Sequence, residues 1–200
     1  MSGPVAELHY FKPACGRVIE PYLSLFGFSR LAFERDGEES TIVVAYSREN
    51  VLLTFSYWPE HFPNYCVMVD IGFIEGDAVP ERSRIGLWCA IPDDKRWSTV
   101  FRTEDELAIV LTRIRDDVLP SYARPLWDDP QQLTQLITRC YNEQEARGSS
   151  REAERKRQQA EMAFKAGNFG EVVSIYAALS SVDLTATDRK RLEIARRKIN

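Results

Sequence analysis

The sequence predicts an α+β fold: an antiparallel meander of about five strands covered by helices, followed by a small all-α helical hairpin plus a capping helix. Three observations lead there. Short segments rich in β-branched and aromatic residues lie between Gly27 and Trp97, segments with helical spacing flank them, and the charge balance changes sign near Gly148. Up to Ala146 the chain holds 14 Lys and Arg against 23 Asp and Glu, while Arg147 onward holds 12 against 7. That break, centred on EARGSSREAERKRQQ, divides the chain into an α+β domain at 1–146 and a helical appendage at 147–200.

The first element is an amphipathic helix. In GRVIEPYLSLFGF, Val18, Ile19, Tyr22, Leu23, Leu25 and Phe26 are spaced to form one helical face, and Gly27 suits a left-handed helix stop. Five strand-like segments follow: FSRLAFER, STIVVAYS, VLLTFSYW, CVMVDIGFI and RIGLWCAI. Turn-prone DGEE and REN, and longer loops elsewhere, join them as a meander.

After Trp97 the helical pattern returns. In TEDE, Thr103 is placed to cap free amides while Glu106 reaches back, and Leu107, Leu111, Ile114 and Val118 make an apolar stripe. A second start is marked by Asp129 and Pro130, with Leu133, Leu136, Ile137, Cys140 and Tyr141 on the buried face. Between them lies LPSYARPLWDDP, whose three prolines predict a break.

The appendage is read from AEMAFKAGNFGEVVSIYAAL. Ala160, Ala163 and Phe164 face one way, Gly167 and Asn168 turn the chain, and Phe169, Val172, Val173 and Tyr176 face back. Thr185 with Asp188 caps a last helix carrying Leu192, Ala195 and Ile199. This segment, from about Glu152 to Asn200, resembles a single tetratricopeptide-type helical repeat with its capping helix. The resemblance lacks the tryptophan and leucine-glycine of the first helix, the terminal proline and a second copy, so the piece is expected to lean on the first domain or on another chain. The first domain loosely resembles bacterial α+β domains found among candidate toxin-immunity proteins, through LFGF, the meander and FRTEDELAIVLTRIRDDVLP. That resemblance implies a cytoplasmic protein whose work is to hold another protein.

Composition bounds the function. A 44% hydrophobic and 11% aromatic content is that of a folded chain. No run reaches the roughly 18 apolar residues of a membrane span, and the opening MSGPVAELHYFKPACGR lacks the pattern of an export signal. Cys15, Cys66, Cys89 and Cys140 are widely spaced in apolar surroundings with no CxxC pair, and are expected to be reduced. Cytoplasmic localisation follows as the expectation. With only His9 and His61, neither at ligand spacing from a cysteine, no metal site is expected, and no phosphate-cradling glycine motif implies a cofactor.

Three function classes remain. The basic runs REAERKRQQ and DRKRLEIARRK lack stacking aromatics, and the first is interleaved with acid, which disfavours nucleic acid. The carboxylate pairs Asp93/Asp94, Asp116/Asp117 and Asp128/Asp129 read as solvated surface. The aromatic loop YWPEHFPNY supplies the candidate partner-binding residues Trp58, Glu60, His61, Phe62 and Tyr65. The expected function is non-enzymatic protein binding in a bacterial cytoplasm, as an immunity or adaptor protein. The alternative is a small-molecule-binding or enzymatic domain using the same loop.

Overall fold

Alternating β-branched and aromatic residues build the sheet of the computed structural model, which describes residues 9–32, 42–58, 61, 63–76, 78–80, 82–179 and 184–199. Strands β1 (Ser29–Arg30), β2 (Ile42–Arg48), β3 (Val51–Tyr57), β5 (Met68–Phe73) and β6 (Arg84–Gly86) pair in the order β1-β2-β3-β5-β6, antiparallel throughout. The five-stranded meander of the sequence reading is therefore present, but the strand expected over RIGLWCAI is confined to Arg84–Gly86, because Leu87–Ala90 turns into a 3-10 helix. Two further short strands, β4 (Tyr65–Cys66) and β7 (Val100–Phe101), form a separate antiparallel pair that the sequence does not announce. The remainder of the FSRLAFER segment, from Phe33 on, and the DGEE turn lie outside the described residues.

Strand β3 is central and buried along its whole length. On one face the rows Tyr46, Leu53, Ile71 and Val44, Phe55, Val69 form an apolar layer. On the other lie Leu52, Thr54 and Ser56, opposite Gly72, Asp70 and Met68. Gly72 is required there. A Cβ at that position would sit 2.3 Å from the Ser83 carbonyl oxygen, so only glycine lets β5 approach the chain entering β6.

The single N-terminal helix expected from the pattern is two: α1 (Phe11–Val18) and α2 (Glu20–Ser24). Pro21 lies in the first turn of α2 and has no N–H to continue the α1 hydrogen-bond ladder. Phe11, Ile19 and Leu23 are fully buried, but Leu25 is 80% exposed, because the helix has ended before its side chain can join the face. Gly27 takes φ +81°, the expected left-handed stop.

Helix α3 (Glu104–Arg113) starts as read: the Glu106 amide donates to Thr103 Oγ1 at 3.2 Å, and Glu106 Oε2 accepts from the Arg102 amide at 2.6 Å. The proline-rich stretch corrects the expectation of a break. Residues Ile114–Ala123 form a π-helical segment with Pro120 inside it, leading into α4 (Arg124–Asp128) with Pro125 in its first turn. The widened turn gives the Pro120 ring the room that an α-helical carbonyl four residues back denies it, and a first-turn proline needs no donor. Asp129 then caps α5 (Pro130–Lys165), its Oδ1 accepting from the amides of Gln131 at 3.0 Å and Gln132 at 3.1 Å.

The chain forms two compact units, Met1–Cys140 and Tyr141–Asn200, and α5 is helical across the change from one to the other. In the second unit α6 (Phe169–Ala177) and α7 (Ala186–Ile199) close a core of Ala160, Ala163, Val172, Tyr176, Leu192 and Ala195. Gly167 turns the chain at φ +77°. Asp188 is 3% exposed, accepts from the Tyr176 hydroxyl at 2.9 Å and caps α7 together with Thr185. Although burial opposes it, these bonds from Thr185 and Tyr176 hold the Asp188 carboxyl below its usual range. Ile199, expected on the α7 stripe, is 52% exposed at the last turn. Among the described residues no helix is long and apolar enough to cross a membrane.

Candidate functional site

The aromatic loop comes from the end of β3, where alternation sends Tyr57 into the core and Trp58 to the opposite face. Trp58 is half-buried, its indole N–H donating to Met68 Sδ at 3.2 Å, and exposed His61 stacks on it with ring centroids 6.2 Å apart. The loop is closed by backbone bonds from the amides of His61 to Trp58 and of Asn64 to His61, and Arg102 Nε donates to Asn64 Oδ1 at 2.8 Å. Tyr65 belongs elsewhere. It lies in β4, 5% exposed, and packs on Tyr57 and Phe101, so of the five loop residues singled out only Trp58 and His61 are described and accessible. Glu60 and Phe62 lie outside the described residues.

Beyond Met68, on the same face of the sheet, is a polar cluster the sequence did not mark. Asp70 Oδ2 accepts from Thr54 Oγ1 at 3.4 Å and lies 3.8 Å from Arg84 Nε. Burial pushes the Asp70 carboxyl above its usual range, against the opposing pull of Arg84 and Thr54. A carboxyl raised by folding binds its proton more tightly in the native than in the unfolded chain. Its stabilising contribution is full below the unfolded value, near 3.8, and is lost as pH rises through the raised one. Asp70→Asn is therefore expected to gain melting temperature relative to the wild type above that window, with the gain shrinking towards pH 4. Paired thermal melts across pH check this, and a gain that does not vary with pH contradicts it.

A second surface was also missed. The short 3-10 helix Leu87–Ala90 and the segment before β7 bring Trp88 and Trp97 edge to face, with ring centroids 5.9 Å apart. The Arg113 guanidinium lies over the Trp97 ring at 4.3 Å, while its Nε is 3.5 Å from Asp117 Oδ2. One turn earlier on α3, Ile109 points outward at 69% exposure. Together these residues make an aromatic and cationic surface with an apolar neighbour. The sequence signal was there, since Trp97 sits in DDKRWSTV, outside any strand pattern, but its arginine partner is sixteen residues away.

The other candidates resolve locally. Each carboxylate pair is engaged at the surface: Asp93 with Arg96, Asp94 with Lys95, Asp116 with Arg115, Asp117 with Arg113, Asp128 with Arg48 and Arg124, and Asp129 at its cap. None of the four cysteines is joined in a disulfide. Cys15 and Cys140 are buried, and burial pushes the Cys15 thiol up to about 12. Against the expectation of apolar surroundings, Cys66 is half-buried with Sγ 2.8 Å from Thr99 Oγ1, and Cys89 is exposed, because the 3-10 turn carrying it leaves it outside the sheet. Among the described residues no group of three His, Cys, Asp or Glu is placed to hold a metal ion. No family model matches the sequence, and neither a curated protein nor a solved structure matches it significantly.

Proposed function

We propose that this chain is a non-enzymatic protein-binding protein of a bacterial cytoplasm, working as an immunity or adaptor protein. The observation that carries this reading is the surface formed by Trp88, Trp97, Arg113 and the exposed Ile109. Tryptophan and arginine are the residue types most enriched where protein interfaces concentrate their binding energy, and a large exposed aliphatic group beside them supplies area that water covers poorly. The aromatic stack of Trp58 and His61 is the second contact candidate.

The test is a photo-crosslinking amino acid at position 109, followed by binding measurements between the purified full chain and the crosslinked protein. Trp97→Ala and Ile109→Arg are each expected to weaken binding by more than about tenfold, the loss that a hot-spot residue of about 2 kcal/mol implies, with the melting temperature retained. Unchanged affinity in both variants removes this surface from the interface. A loss confined to His61→Ala moves the contact to the loop.

A second reading, a small-molecule or enzymatic site, is favoured by one observation: Asp70, with its raised carboxyl, shares a sheet face with Trp58 and Met68. Turnover by the wild type that Asp70→Asn abolishes would establish it.

A further inference from the structure

The two basic runs of the C-terminal unit are neutralised to different degrees. Along α5, Arg147, Arg155, Lys156, Arg157 and Lys165 each form an ion pair with a glutamate of the same helix. Helix α7 differs. It carries Arg189, Lys190, Arg191, Arg196, Arg197 and Lys198 against Asp188 and Glu193, and Asp188 is buried at the cap, bonded to Tyr176 and Thr185. Arg191 meets Glu161 of α5 at 3.4 Å and Arg197 meets Glu193, whereas Lys190, Arg196 and Lys198 meet no carboxylate among the described residues. Cations suit the last turn of a helix, where the free carbonyls are negative, but that field reaches only about one turn. It leaves Lys190 unexplained, and it leaves Arg196, Arg197 and Lys198 to repel one another.

Helical spacing sorts these charges. Lys190, Ile194 and Lys198 follow one another at four-residue steps on the side of α7 away from Leu192 and Ala195, while Arg189 and Arg196 fall on the other flank. Both lysines are exposed, and the half-buried Ile194 takes no part in the hairpin core. The result is a seam of cation, apolar group and cation that spans about 12 Å along the helix. We infer that this seam is a docking surface for an acidic segment of another protein, which sets carboxylates against Lys190 and Lys198 and an apolar side chain against Ile194. Charge complementarity gives the sign of the partner. Its class follows from what lies between and beside the charges. A phosphate backbone has no use for the isoleucine at the centre, α7 has no aromatic ring on which a base can stack, and the exposed Glu193 next to the seam repels a continuous run of phosphates. The seam belongs to the second unit, so it stands or falls independently of the tryptophan surface of the first.

The experiment uses the intact chain and two labelled helical peptides of matched length, one built of Glu, Leu and Ala and the other with Lys in place of every Glu. Fluorescence anisotropy reads the affinity and NMR chemical shifts read the place. The acidic peptide is expected to shift the amide resonances of Lys190, Ile194 and Lys198 and to bind at least about tenfold more tightly than the basic one. Raising NaCl from about 20 to about 300 mM is expected to weaken it by at least about tenfold. Lys190→Gln combined with Lys198→Gln is expected to cost a similar factor with the melting temperature retained, since both side chains are exposed. Arg196→Gln removes an unpaired cation from the other flank of the same helix, and is expected to bind the peptide as the wild type does. Should the double variant melt early, Lys198→Gln alone carries the comparison with Arg196→Gln. The inference is overturned if the acidic peptide does not bind at concentrations on the order of 1 mM, or if Arg196→Gln costs as much as Lys198→Gln. It is also overturned if a single-stranded RNA of matched charge binds more tightly than the peptide, or if the chain alone forms a dimer that the double variant dissociates, which would give the seam to a second copy.

Discussion

Tyr176→Ala is expected to unfold the C-terminal unit at physiological temperature. The side chain is 1% exposed, packs in the core of Ala160, Ala163, Val172, Leu192 and Ala195, and its hydroxyl donates to the buried Asp188. Truncating a buried aromatic residue to alanine typically costs about 3 to 5 kcal/mol. Leaving Asp188 short of one donor adds roughly 1 to 3 more. A unit of the size of Tyr141–Asn200 has a total stability of roughly 3 to 9 kcal/mol, so the loss is comparable with the whole. Tyr176→Phe separates the two contributions: the packing stays, Asp188 keeps its bonds from Thr185 at 3.0 and 2.6 Å, and the cost falls to the hydrogen-bond share alone. Circular dichroism melts of both variants check this. A Tyr176→Ala protein melting with the wild type would mean that the hairpin core does not hold the unit together. Phe169, which the sequence places on the same returning face as Tyr176, is only half-buried and meets Phe164 edge to face at 5.7 Å, so its truncation is expected to cost less.

In the first unit the largest effect is expected at Trp127. It is 1% exposed, its ring meets Phe26 at 5.6 Å and Phe28 at 5.1 Å, and its carbonyl accepts from Arg48 Nη2 at 2.6 Å. Trp127→Ala is expected to destabilise by about 3 to 5 kcal/mol, through the cavity left among those rings. Its indole N–H is buried with no hydrogen-bond partner among the described residues. An unmade bond is a cost already present in the native state, so Trp127→Phe removes that donor while keeping an aromatic body, and is expected to lose far less than the alanine variant. Denaturant unfolding of the two variants measures the difference; equal losses would show that the indole N–H is satisfied.

What the sequence made legible was local. The caps at Thr103, Asp129 and Thr185 are each decided by residues two to four positions apart, and all three form as read. Strands β2, β3 and β5 of the meander were legible because each has its own alternation and turn signals. The pair β4 and β7 was not, since two residues carry no period. Helical spacing misplaced Leu25 and Ile199 because it assigns a face without saying where the helix ends, and both fall at the fraying limit. Tyr65 looked like loop because Pro63 and Asn64 precede it, yet pairing with Phe101 far along the chain draws it into the core. The candidate surfaces were the least legible part. Asp70 needs Arg84 from another strand, and Trp97 needs Arg113 from a helix, so neither has a signature within any short window.

The π-helical run at Ile114–Ala123 also bears on how this chain tolerates changes in length. Each i→i+5 turn encloses one residue more than an α turn, so the run is a place where surplus residues are stored inside a helix instead of being expelled as a loop. Upstream, Leu107 and Leu111 keep their faces to the core, and downstream Leu126 and Trp127 do the same. An insertion or deletion inside an ordinary helix rotates everything after it by about 100° and exposes whatever was buried. In the π run the wider turn already holds the surplus, so loss of a residue between Ile114 and Ala123 is expected to tighten the segment towards α geometry with the two hydrophobic faces on either side kept in phase.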